Sequence, residues 1–196
     1  MNIVKKAKKY CLSIIDESDD IFSLVTHLPE AEKWAEKICD LRPEADREVV
    51  LLTVWLHDVS HYVGDRDTDH AVRSEKMAKE FLEKNQYDPK KLPMVLHGVR
   101  SHRNRDVAPE TIEAKIFACA DSASHMTDIA YLLMMQTGRF EYLAGKLERD
   151  FRDVNFFPEI HKMLSPVYRS WKELAKNYKA LHLIEKVKPK SEFGFN

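Results

Sequence analysis

Glycine is scarce. Only five occur, Gly64, Gly98, Gly138, Gly145 and Gly194, and that removes several nucleotide-binding devices at once. Neither a GxGxxG turn nor a P-loop can be written, and no GxSxG nucleophile elbow exists. Cysteine is thinner still: Cys11, Cys39 and Cys119 are odd in number, widely spaced and form no CxxC pair. Neither a disulfide framework nor a cysteine-held structural zinc is thereby indicated, and the expectation is reduced thiols in a cytoplasmic protein. No apolar run approaches the roughly 20 residues that span a bilayer. The lysine-rich stretch from Met1 to Tyr10 lacks the apolar core of a secretory signal. Charge of one sign is missing too: 31 Lys+Arg against 32 Asp+Glu leave a formal net charge of -1, which gives no general pull toward nucleic acid or an anionic membrane.

What is present is apolar sequence at helical spacing and an excess of histidine, nine in all. The periodicity predicts helices over about 2–16, from Pro29 through Ala31, Trp34, Ala35 and Ile38, and over about 45–62, 69–84, 91–103, 109–136, 139–153 and 157–182. The third is apolar nearly all round (Val49, Val50, Leu51, Leu52, Val54, Trp55, Leu56) and reads as the central buried helix. No strand alternation, repeat or linker is visible. The fold class is therefore all-α, one helical domain over residues 1–184 with a loose tail at 185–196.

Three polar positions sit where apolar residues belong. His57-Asp58 falls late in the most apolar helix, and burying such a pair is costly unless it is paired or binds a cation; the bland alternative is a helix end reaching solvent. His61 lies one turn on. Asp121 follows Ile116-Phe117-Ala118-Cys119-Ala120 and needs a counter-charge, either a metal or a structural arginine. His27 shares a helical face with Ala31, Ala35 and Ile38, which turns it toward the core.

Taken in order, His27, His57-Asp58 and Asp121 resemble the HD-domain superfamily of metal-dependent phosphohydrolases over about residues 20–135. The run LLTVWLHDVSH and the run EAKIFACADSASH carry the likeness beyond the ligands themselves. The resemblance implies a divalent transition metal (Mn, Fe, Co, Ni or Zn, with Mg possible) on His27, His57, Asp58 and Asp121. It also implies hydrolysis of a phosphate ester or anhydride, with a nucleotide the leading substrate class, through a metal that acidifies a bound water. In that scheme Asp58 orients the water and His61 donates a proton or touches phosphate. His70 and His102 extend the site as second-metal ligands or phosphate contacts, whereas His97 falls on a polar face. Phosphate-holding cations are expected at Arg66 and Arg73 around His70, and at Arg100, Arg103 and Arg105 around His102; a solvated helix face is the plainer account of each.

The implied partner is a small phosphorylated molecule, with no nucleic acid and no membrane. Two other outcomes stay open: a di-iron HD-type oxygenase, which needs His70 and His102 as ligands, and a metal-binding regulatory module without turnover. His57-Asp58-Val59-Ser60-His61 also has HExxH metalloprotease spacing, but its acid is one methylene short and no third-ligand motif follows.

Overall fold

The computed structural model describes residues 2–16, 20, 22–64 and 67–181, and among these the regular structure is helical, with no strand. The helices are α1 (Ile3–Asp16), α2 (Leu24–Leu41), α3 (Arg47–Leu56), α4 (His70–Lys84), α5 (Leu92–Ser101), α6 (Ile112–Thr127), α7 (Ala130–Gln136), α8 (Phe140–Asp153) and α9 (Pro158–Leu181). A 3-10 turn, Val154–Phe156, joins the last two. Helix α3 is the centre. Its Val49, Val50, Leu52, Val54, Trp55 and Leu56 are completely buried, and α1, α2, α5 and α6 pack around it. Asp46 starts it by accepting the backbone N–H groups of Glu48 and Val49. Helices α8 and α9 cover the far side of α6, where the Trp171 indole donates to the Met126 carbonyl. The three cysteines are buried and unpaired.

Three boundaries differ from the sequence expectation, each for a local reason. Helix α2 begins at Leu24 and contains Pro29. The backbone bond lost to the proline falls on Val25 in the first turn, and the Asp20 carboxylate supplies a cap by accepting from Leu24 and Val25. Helix α3 stops at Leu56, so His57 to Tyr62 form turns rather than two more helical turns. Ser60 holds that turn against α4: its N–H donates to Ser74 and its hydroxyl to the His70 carbonyl. The expected long sixth helix breaks at Asp128, which is extended and caps α7 by accepting from Ala130. The loose tail expected at 185–196 lies outside the described residues, as do residues 182–184. Among the described residues no helix is long and apolar enough to cross a membrane.

Candidate metal centre

Three elements aim polar groups at one interior point. His27 comes from the first turn of α2, His57 and Asp58 from the end of α3, and Asp121 from the middle of α6. His27 Nε2 lies 3.1 Å from Asp121 Oδ1 and 3.4 Å from His57 Nε2. His57 Nε2 is 3.5 Å from Asp121 Oδ1 and 3.2 Å from Asp58 Oδ2. A second group gathers on the other oxygen of the same aspartate. Asp58 Oδ1 is 3.3 Å from His61 Nε2, 3.5 Å from His70 Nε2 and 3.8 Å from His102 Nε2. The last two nitrogens stand 3.3 Å apart. His27, His57, Asp58, His61, His70, His102 and Asp121 thus meet as two groups that share Asp58.

The outer nitrogens explain why the inner ones can bind a cation. His57 Nδ1 donates to the Val54 carbonyl at 2.8 Å and His102 Nδ1 to the Val99 carbonyl at 2.7 Å. A carbonyl can only accept, so in the neutral rings the lone pair is on Nε2. His27 is held the same way, with Nδ1 3.3 Å from the Asp128 carboxylate and 3.2 Å from the Ser124 hydroxyl. The imidazole lone pairs of His27 and His57, facing each other at 3.4 Å, repel unless a proton or a metal ion lies between them. Two ligands each about 2.1 Å from one ion are necessarily within about 4.2 Å of each other, so the separations suit neighbouring ligands. Among the described residues, buried Asp58 Oδ1 has no hydrogen-bond partner, a deficit that an ion or a water at that point would fill. The residues present fit a divalent metal.

Without a cation, protons take its place at the first group. Burial opposes charge on His27, but Asp121 and Asp128 outweigh it and lift its pKa to about 10. His57 is raised against the same burial by Asp58 and Asp121. Burial would raise the acids, yet His57 and His61 hold Asp58, and His125 and His27 hold Asp121, well below the usual carboxylate range. The second group behaves oppositely. Burial drives His70 down to about 3 and His102 down to about 4, leaving both neutral.

The expected phosphate-holding cations are less free than their charge suggests. Arg103 is tied to Asp69, Arg100 to Asp106, and Arg73 donates to the Val63 carbonyl at 3.1 Å. Among the described residues, Arg73 Nε, Arg103 Nε and one Arg100 terminal nitrogen are buried without a partner. Arg105 is exposed, and Arg66 lies outside the described residues. His97 stands apart, accepting from the Glu110 N–H.

Sequence reasoning missed a further layer. Ser124 and Asp128 orient His27, and His125 stacks on the His27 ring at 4.7 Å and 10°. Behind His125 stand Lys146 and Asp150 of α8 and Tyr131 of α7. The signal was there to read: Ser124, His125 and Asp128 follow Asp121 at helical intervals of three, four and seven. The HD domain family model matches residues 24–126. No curated protein and no solved structure matches the chain.

Proposed function

Because the chain belongs to the HD-domain family, we propose that it is a divalent-metal-dependent phosphohydrolase acting on a nucleotide or a related phosphate ester or anhydride. His27, His57, Asp58 and Asp121 would hold one ion, and Asp58, His70 and His102 a second. The nitrogen-rich donor set favours Mn, Fe, Co, Ni or Zn over Mg. When bound, such metals supply Lewis acidity toward a phosphoryl oxygen and lower the pKa of water. The protein's own part is positioning. Asp58 faces both groups, and the partly exposed His61, with a side chain 20% accessible, is suited to passing a proton or touching phosphate. Arg73 and Arg103 keep Nε donors with no partner among the described residues, which suit a phosphate oxygen, and Arg66 is a further candidate for that role.

One observation carries the reading: the buried Asp58 Oδ1 has no hydrogen-bond partner among the described residues while imidazoles converge on it. The test is metal analysis of the purified protein with a steady-state screen of nucleotides and phosphate esters, Mn²⁺, Co²⁺, Ni²⁺, Zn²⁺ and Mg²⁺ being supplied in turn. His57→Ala and Asp58→Ala are expected to lose stoichiometric metal, melt at lower temperature and abolish turnover. Equal metal content in wild type and both variants would sink the proposal. A second reading, a di-iron oxygenase, draws support from the meeting of His70 and His102 beside Asp58. Iron-loaded protein that consumes oxygen with a C–H substrate, and cleaves no phosphate ester or anhydride, would establish it instead.

A further inference from the structure

His27, His57 and His102 use Nδ1 as the donor, so that in their neutral rings the Nε2 lone pair faces the centre. His125 is wired the other way round. Its Nδ1 lies 3.1 Å from Lys146 Nζ. An ammonium has three hydrogens to give and no lone pair to offer, so Nδ1 must accept. The neutral ring therefore carries its proton on Nε2. Asp150 Oδ2 lies 3.5 Å from the same Nδ1 and could take a proton from it, but the lysine is nearer and cannot accept.

Lys146 is held in place from behind. It pairs with Asp150 one turn along α8, and Asp150 also accepts the Tyr131 hydroxyl at 2.6 Å. The His27 stack fixes the plane of the His125 ring. Its Nε2 then stands 4.0 Å from Asp121 Oδ1, too far for a hydrogen bond and beside the first ligand group. The side chain is 15% accessible. A nitrogen that bears a proton cannot ligate a metal; it can donate to an anionic oxygen that arrives beside one.

We propose that His125 is a further catalytic residue, giving its Nε2–H to a phosphoryl oxygen of the substrate, and that Lys146 is the positioning residue that fixes this tautomer. The contact with substrate rests on the phosphohydrolase reading above, whereas the tautomer does not. Lys146 comes from α8, outside the residues that match the HD domain, so this chain adds the device from its C-terminal helices.

The first test is long-range ¹⁵N–¹H NMR of the whole chain, histidine-labelled and metal-free, with His125 identified by its absence in His125→Gln. The expected result is Nε2–H at His125, and Nδ1–H at His102 in the same spectrum. Lys146→Met should move His125 toward Nδ1–H, donating to Asp150. An Nδ1–H tautomer in wild type, or no change in Lys146→Met, overturns the proposal. The second test is calorimetric titration of inorganic phosphate into zinc-loaded protein. His125→Phe keeps a stacking ring and loses the donor, so full metal content with phosphate affinity lowered about tenfold or more is expected. His125→Gln, which keeps an N–H, should recover part of it. Unchanged affinity in His125→Phe overturns the contact, and so does loss of metal, which would make His125 a ligand. Wild-type protein that holds zinc but neither binds phosphate nor cleaves any phosphate substrate would overturn the phosphohydrolase reading and the contact with it, while the NMR result would still decide the tautomer.

Discussion

At Asp58 one oxygen faces His57 and the other faces His61, His70 and His102, so a single side chain couples two groups of opposite acid–base behaviour. That coupling gives metal-free stability a definite pH dependence. The His27 pKa is raised from 6.5 to about 10, because its acid partners outweigh burial. The stability from that pairing is fully present below pH 6.5 and is lost as pH rises through about 10. Burial lowers His70 to about 3 and His102 to about 4. Their contribution is present above pH 6.5 and is lost as pH falls toward those values. The chelated protein should therefore melt highest near neutrality and lose stability on both sides. Zinc-loaded protein should hold its melting temperature further into the alkaline range, since the ion replaces the proton between His27 and His57. Thermal scans of both forms from weakly acidic to alkaline buffer check this, and superimposable profiles would argue against it.

Among the helices, the close approach of α5 to α3 sets where His102 stands. Gly98 permits it: a Cβ there would meet the Thr53 side chain at 2.8 Å. Thr53 is buried and its hydroxyl donates to the Val49 carbonyl, so it cannot swing away freely. Gly98→Ala should push α5 outward, costing about 1–3 kcal/mol of stability. Because His102 caps the end of that helix, the substitution should also cost metal at the group containing His70 and His102 before it costs metal on His27, His57 and Asp121. Metal-per-chain measurements under graded chelation, with denaturant unfolding, test both parts. Unaltered stability and metal content would show that α3 and α5 separate without consequence.

Across the whole molecule, the C-terminal helices lock onto the half of the chain that matches the family. The buried Asp150 accepts from Tyr131 and Lys146 and stands behind His125. Removing one partner of a buried pair leaves an uncompensated charge, so Asp150→Ala should destabilise by about 3 kcal/mol or more. Adding Lys146→Met to it should restore part of the loss, since the stranded charge goes with it. Urea unfolding of the single and double variants measures this, and additive losses would show that the pair is not coupled. The helical class, the central place of α3 and the polar residues His27, His57, Asp58 and Asp121 that meet beside it were all legible in one dimension. A polar residue inside an apolar run announces a cost that something must offset, and periodicity names the helix that bears it. The α3 terminus and the break at Asp128 were not legible, because Ser60 and Asp128 take backbone partners that helical periodicity does not weigh. Nor could spacing say that Arg103 is spent on Asp69, that His61 joins His70 and His102 on Asp58, or which nitrogen of each ring keeps its proton. Those outcomes are set by partners in other parts of the chain, such as Asp128 for His27 and Lys146 for His125. A hydrogen bond depends on distances of a few tenths of an ångström, and only the packing of the helices supplies them.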